Sequence, residues 1–252
     1  MKIAVAGGTG TVGRHLVELA RGAGHDVAVL ARGAGVDLRD EHQAAVGLGG
    51  AEVVVDVTNA PSTKEDQATA FFTEVTGRLS SLGAAAGASR LVVLSIVGLE
   101  QTSGYGYYQA KLTQERVARS GRLAVSIVRA TQFHEFAGQI LERTRLGPVA
   151  FVPIMRIQPV AARSVAEHLL GLVQEPPSEE LCEVAGPEPA DLVDLARATL
   201  KAAGRRVVVV PVPVPGTAGK AMRHGAQLPG PDARIVGPDF DTWLHDGGLR
   251  DS

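Results

Sequence analysis

Six short runs rich in Val, Ile and Leu alternate along the chain with longer stretches in which apolar positions recur every three or four residues. The short runs predict strands at residues 2–6, 26–31, 52–56, 91–95, 123–129 and 181–185. The longer stretches predict helices at about 11–23, 63–87, 107–120, 133–144, 163–174 and 190–203. Regular alternation of strands and helices is typical of an α/β protein. We therefore expect a doubly wound, mostly parallel sheet with helices on both faces.

The last fifty residues continue this pattern less regularly. Residues 207–214 read VVVVPVPV and predict one more strand, which Pro211 and Pro213 place at a sheet edge. A further helix is predicted at about 217–225 within a region rich in Gly, Pro and charge. With no internal repeat and no clear linker, we expect a single domain over residues 1–252. Residues from about 150 to 252 should add part of the sheet and a small C-terminal substrate lobe.

The composition of the chain argues against several kinds of binding site and against a membrane span. Charged residues make up 21% of the chain and the net charge is −2, so no basic surface for nucleic acid is predicted. The single Cys182 excludes an internal disulfide and a thiolate metal cluster, and the histidines show no metal-ligand spacing, so no metal is predicted. We find neither a secretion leader nor an apolar stretch long enough for a membrane. We expect a soluble, cytoplasmic protein.

A glycine-rich turn follows the first predicted strand. It has the spacing Gly-x-x-Gly-x-x-Gly and leads directly into the first predicted helix; its residues are Gly7, Gly8, Thr9, Gly10, Thr11, Val12 and Gly13. Such a turn brings backbone close to a pyrophosphate, and the helix start directs N–H groups and the positive dipole end at the anion. The turn predicts a Rossmann-like fold with a dinucleotide held by these residues. A tight turn without a ligand is the alternative.

The end of the second predicted strand distinguishes the two nicotinamide dinucleotides. An acid there would bind the ribose hydroxyls, whereas an arginine would accommodate a 2′-phosphate. Arg32 directly follows the strand, and the strand's only acid, Asp26, lies at the opposite end. A guanidinium pairs well with phosphate, so NADP(H) is favoured over NAD(H). A solvated arginine is the alternative.

Tyr107 and Lys111 stand four residues apart at the start of a predicted helix, so both side chains lie on one face. A nearby ammonium stabilises a phenolate, which suits a tyrosine acting as an acid or base. Ser95 ends the preceding strand and could hydrogen-bond a substrate carbonyl. The alternative is a core tyrosine beside a surface lysine.

These motifs make the chain resemble the short-chain dehydrogenase/reductase superfamily, and the glycine spacing is similar to its atypical or extended branch, which includes the NmrA-like proteins. The resemblance covers the chain to about residue 200. It implies that Tyr107 donates a proton, that Lys111 holds the nicotinamide ribose and tunes Tyr107, and that Ser95 orients the substrate. Val97 stands where the family often carries its catalytic hydroxyl.

The resemblance also implies further cofactor contacts. Asp37 and Leu38 would lie beside the adenine, and Asn59 and Ala60 would flank the cofactor. Ala130-Thr131 replaces the family's Pro-Gly pair, but Thr131 and Gln132 would still contact the carboxamide.

Segments 97–107, 131–136 and 150–158 are expected to line the substrate site. They contribute mainly apolar residues together with His134 and Glu135, and carry no Arg or Lys before Arg156; the substrate residues expected from them are Val97, Gln132, Phe133, His134 and Met155. Such a lining suits a neutral aromatic or quinone-like molecule. The sequence therefore predicts NADP-dependent reduction of a small carbonyl or quinone, and leaves room for a homodimer. An NmrA-like redox sensor that acts through a protein partner is the alternative.

Overall fold

The computed structural model describes residues 1–102, 104–176 and 180–249. Within these residues twelve strands and nine α-helices follow one another along the chain. The strands are β1 (Lys2–Ala6), β2 (Asp26–Leu30), β3 (Val53–Asp56), β4 (Arg90–Ile96), β5 (Ala124–Ala130), β6 (Arg145–Leu146), β7 (Val149–Pro153), β8 (Arg156–Ile157), β9 (Glu180–Ala185), β10 (Ala190–Asp191), β11 (Val208–Val212) and β12 (Arg234–Ile235). The helices are α1 (Gly13–Gly22), α2 (Glu41–Leu48), α3 (Glu65–Ala85), α4 (Gly106–Arg119), α5 (Phe136–Thr144), α6 (Ala162–Gln174), α7 (Leu192–Ala202), α8 (Gly216–Arg223) and α9 (Phe240–His245).

The chain divides into two compact units. The first consists of residues 1–95, 106–129 and 165–182, and the second of residues 96–105, 130–164 and 183–252 as far as they are described. The first unit carries the parallel sheet, in the order β9-β5-β4-β3-β1-β2. In the second unit, β12 pairs in parallel with the end of β9 at Val184, which makes the sheet seven-stranded. The predicted fold class is confirmed.

Burial of the central strands explains their apolar sequence. Ile3 to Ala6 of β1 are fully buried, and β4 is buried from Arg90 to Ser95. Parallel strands covered by helices on both faces need apolar side chains on both sides. Strand β1 lies between β2 and β3, so the course of the chain across the sheet reverses there. Ligands of open α/β sheets bind at the carboxyl ends of strands beside such a reversal.

The second unit contains a separate three-stranded sheet in the order β11-β7-β6. The strand predicted at residues 207–214 is β11, an edge strand as expected, although it pairs with β7 in this small sheet. Ala150 and Val152 are fully buried on the face that α5 and α7 cover. No helix within the described residues is both long and apolar enough to cross a membrane.

Candidate active site

The glycine turn has the geometry that a close approach to a pyrophosphate requires. Gly7 has φ +82°, and a Cβ there would lie 2.8 Å from the Val57 carbonyl oxygen. A Cβ on Gly13 would lie 2.2 Å from the Gly7 carbonyl oxygen, so the first residue of α1 must also be glycine. Thr9 and Gly10 are exposed, and Val12, at the start of α1, caps no N–H group with its side chain. The turn therefore fits a bound anion.

Arg32 lies next to this turn. It begins a single 3₁₀ turn after β2 and is exposed. The following residue packs on the glycine turn, since a Cβ on Gly33 would lie 3.4 Å from Thr9 Oγ1. Asp37 and Leu38 lie farther along the same loop. Asp37 Oδ1 accepts a 2.9 Å bond from the Arg39 N–H, and the Leu38 carbonyl accepts a 2.7 Å bond from Arg78.

Tyr107 and Asn59, which the sequence assigned to different tasks, are in contact. Asn59 is an exposed residue in the loop that follows β3, whereas Ala60 beside it is buried. The Tyr107 hydroxyl donates a hydrogen bond to Asn59 Oδ1. Its ring packs edge to face on Phe72, with 6.1 Å between centroids. The side chain is half-buried and held from two sides, and the hydrogen bond between its hydroxyl and Asn59 is exposed.

Lys111 is directed inward. Its side chain is buried, Nζ donates a 2.8 Å bond to the Leu94 carbonyl and a further bond to Gln114 Oε1, and the Phe72 ring lies 4.8 Å away. Burial lowers the pKa of Lys111 to about 8, against the opposing effect of Asp56 and Glu115. The sequence predicted an ammonium directed at the ribose and Tyr107. In the structure its hydrogen bonds go instead to the end of β4 and to its own helix, because these buried acceptors are within its reach.

Ser95 also makes its hydrogen bond inside the first unit. The residue is buried, and its hydroxyl donates a 2.5 Å bond to Glu115 Oε1 on α4. The same carboxylate accepts bonds of 2.9 and 2.7 Å from Arg129, which is also buried. Ser95 thus hydrogen-bonds to the buried ion pair of Glu115 and Arg129, and its role toward a substrate stays a prediction.

Thr131 and Gln132, in the second unit, directly follow β5. Thr131 is 2% exposed, and its backbone N–H donates to the Val184 carbonyl at 3.0 Å. Thr131 Oγ1 and Gln132 Oε1 are buried and have no hydrogen-bond partner among the described residues. Buried polar atoms normally have partners, so these two oxygens fit the amide of a carboxamide.

The other expected substrate residues lie deeper in the second unit. His134 is 1% exposed; its Nε2 lies 3.1 Å from the Pro238 carbonyl oxygen, and its ring packs on Phe240 and Trp243. Burial lowers the pKa of His134 to about 4. Val97 and Met155 are buried, whereas Phe133 is half-buried. Packing thus leaves His134, Val97 and Met155 little surface for a ligand.

Sequence reasoning missed the polar groups that surround Lys111 and Ser95. Asp56 is fully buried at the end of β3 and accepts bonds from Thr58, Thr76 and Gln114. A charged residue that ends a run of buried valines was the available signal. Gln114 and Glu115 gave no signal, because adjacent polar residues on a helix usually face solvent. No group of residues able to hold a metal occurs within the described residues.

Comparison with known proteins agrees with the fold. Residues 3–95 match the model of the NAD dependent epimerase/dehydratase family. No curated protein matches the chain. The predicted resemblance to the extended short-chain dehydrogenase/reductase superfamily is confirmed by this match and by the fold, whereas the NmrA-like branch stays a prediction.

Three solved structures illustrate the likeness. A short-chain dehydrogenase/reductase superfamily protein from Agrobacterium tumefaciens with bound NAD is 20% identical, with a TM-score of 0.67 over 99% of this chain and 96% of that one. A UDP-N-acetylglucosamine 4-epimerase from Bacillus cereus is 16% identical, with a TM-score of 0.72 over 99% and 96%. A dTDP-4-dehydrorhamnose reductase from Clostridium acetobutylicum is 14% identical, with a TM-score of 0.70 over 100% of both chains.

Proposed function

We propose that this protein is an oxidoreductase that uses a nicotinamide dinucleotide, preferably NADP(H), to reduce a small neutral carbonyl or quinone-like acceptor. The observation that carries the proposal is the Tyr107 hydroxyl, which takes part in an exposed hydrogen bond to Asn59 while its ring packs on Phe72. The glycine turn belongs to the same unit. The family that matches this region is described as NAD dependent, and a solved relative contains NAD.

The residues present fit the dinucleotide. Gly7, Gly10 and Gly13 would hold the pyrophosphate, and Arg32 the 2′-phosphate of NADP(H). Asp37 and Leu38 would lie beside the adenine, and Asn59 and Ala60 along the cofactor. In the second unit, the orphan oxygen atoms of Thr131 and Gln132 suit a carboxamide. When bound, the nicotinamide supplies the hydride. Tyr107 would supply the proton to the acceptor oxygen, and its O–H bond would then turn from Asn59 Oδ1 to that oxygen.

The lack of an unpaired cation in the segments expected to line the substrate site supports a neutral acceptor. Within segments 97–107, 131–136 and 150–158 the only cation is Arg156, whose guanidinium lies 3.5 Å from the Asp191 carboxylate. No unbalanced cation in these segments would therefore attract a diphosphate. This distinguishes our proposal from the nucleotide sugars named for the epimerase and reductase above.

The test is NADPH oxidation across quinones, aldehydes, ketones and a UDP-sugar, with Tyr107→Phe and Tyr108→Phe compared with wild type. Tyr108 is a buried neighbour on α4 and provides a matched control for loss of a hydroxyl. We expect Tyr107→Phe to lower turnover by about 100-fold or more with unchanged NADPH affinity. Turnover that survives in Tyr107→Phe, or a preference for the UDP-sugar, would contradict the proposal.

A redox sensor is the second candidate, and the inward bonds of Lys111 and Ser95 favour it. Neither side chain presents a polar atom to a substrate in this structure, and a protein that only binds the dinucleotide would not need one. Tight NADPH binding without turnover of any compound in the panel would support the sensor.

A further inference from the structure

Gln114 lies between a lysine and a carboxylate. It is fully buried on α4, one helical turn after Lys111. Its Oε1 accepts a hydrogen bond from Lys111 Nζ, and its Nε2 donates a 2.9 Å bond to Asp56 Oδ2. Both ends of one amide are therefore bound in a site without access to water.

The chemistry of the two partners fixes the orientation of this amide. An ammonium can only donate hydrogen bonds, and an ionised carboxylate can only accept them. A flipped Gln114 would place its NH₂ group against the ammonium and its oxygen against the carboxylate, with two repulsive contacts. The oxygen must therefore face Lys111.

Asp56 is itself held from three directions. Oδ1 accepts bonds of 3.0 and 2.6 Å from the backbone N–H and the hydroxyl of Thr58, and Oδ2 accepts a 2.7 Å bond from the Thr76 hydroxyl on α3. With Gln114, four donors converge on this carboxylate. It cannot rotate away without leaving several of them unpaired, at a cost comparable to several buried hydrogen bonds.

Several groups around Lys111, including Gln114, favour the ammonium. The Leu94 carbonyl, Gln114 Oε1 and the Phe72 ring account for its three N–H directions. The charged groups that face it are Asp56 after β3 and Glu115 on α4. From α3 and β4 it meets the neutral groups Phe72 and the Leu94 carbonyl. Burial opposes all of these by disfavouring the charge.

We propose that Gln114 is a positioning residue: held by Asp56, it turns its amide oxygen to Lys111 Nζ and so fixes that nitrogen as a protonated group on the helix face that also carries Tyr107. The functional part of this inference rests on the proposed function. There, a fixed cation four residues from Tyr107 stabilises the phenolate that remains after proton transfer. The charge state of Lys111 is a separate and directly measurable claim.

The test uses NMR titration of the whole protein labelled with ¹³C in the lysine ε-carbons. The chain has only five lysines, and loss of one signal in Lys111→Arg assigns the residue; the five are Lys2, Lys64, Lys111, Lys201 and Lys220. We expect Gln114→Met and the shorter Gln114→Asn to lower the pKa of Lys111 by about one pH unit or more, since each removes a hydrogen bond to a buried charge. Gln114→Glu keeps an acceptor and should leave the pKa at or above the wild-type value.

Gln109→Met is the control, because it makes the same replacement on the same helix at a half-buried residue two positions before Lys111. A purely packing role for Gln114 predicts an unchanged pKa of Lys111 in Gln114→Asn, and that result, or a fall in Gln114→Glu, would overturn the inference. In an active enzyme the pH profile of kcat should move with the lysine. If no acceptor is turned over, the titration still decides the role of Gln114, so the two proposals fail separately.

Discussion

The Ser95 hydroxyl donates a 2.5 Å hydrogen bond to the Glu115 carboxylate. Glu115 belongs to α4, one helical turn after Lys111, so the bond ties the end of β4 to the helix that carries Tyr107. Arg129 completes the arrangement with two bonds to the same carboxylate. Ser95 therefore helps to satisfy a carboxylate buried inside the first unit, where an unpaired carboxylate would be costly.

Ser95→Ala tests this role. We expect it to lower the free energy of unfolding by about 2 kcal/mol, because a hydrogen bond to a buried charged group is lost. Turnover of any acceptor found should change by less than about tenfold, whereas loss of a hydroxyl that acts on the substrate costs about 100-fold or more. Urea denaturation and steady-state kinetics measure the two effects. A large loss of turnover without a loss of stability would indicate that Ser95 acts on the substrate.

Breaking the buried pair between Glu115 and Arg129 should lower the free energy of unfolding more than Ser95→Ala does. Arg129→Met leaves a buried carboxylate without its cation, and we expect a loss of about 3–5 kcal/mol in unfolding free energy. The double variant Glu115→Leu/Arg129→Met should recover much of this loss. Arg39→Met is the control: it breaks an exposed pair with Glu74 and should cost less than about 1 kcal/mol. Equal losses in both arginine variants would contradict the burial argument.

The sequence predicted what depends on local patterns. All six strands expected in the main sheet occur, because a buried parallel strand needs a continuous apolar run. Helix α2 was missed because only Ala44 and Leu48 are buried, so its apolar periodicity is weak. In the structure Asp40 caps its start, with a 3.0 Å bond accepted from the Gln43 N–H.

The candidate site was predictable where its geometry is local and not where it depends on distant partners. Gly7 and Gly13 need glycine because of backbone a few residues away. The direction of Lys111 depends on Leu94 and Gln114, and that of Ser95 on a carboxylate twenty residues farther along the chain. Motif spacing specifies which residues share a helix face, but not which buried acceptor receives the hydrogen bond of Lys111 or Ser95.

Arg32→Ala should reduce the preference for NADPH over NADH. Arg32 is exposed beside the glycine turn, where a guanidinium can pair with the 2′-phosphate. We expect NADPH affinity to fall by about tenfold or more, equal to about 1.4 kcal/mol, with NADH affinity unchanged. Calorimetric titration of both dinucleotides measures this. Arg39→Ala removes another exposed arginine of the same loop and should alter neither affinity; equal losses for NADPH and NADH in Arg32→Ala would assign it another role.

Acid should destabilise the protein through His134. Its Nε2 faces the Pro238 carbonyl, so a second proton must enter at Nδ1, which is buried without a partner among the described residues. Burial lowers the pKa of His134 from 6.5 to about 4, against the opposing effects of Pro238 and Asp239. Between these values the unfolded chain binds a proton that the folded protein does not, so stability falls as the pH decreases, by up to about 1.4 kcal/mol per pH unit. His134→Phe keeps a ring between Phe240 and Trp243 and should flatten this part of the stability curve. Urea denaturation from pH 7 to pH 4 measures the slope, the exposed His42→Gln serves as control, and parallel curves for wild type and His134→Phe would rule this residue out as the cause.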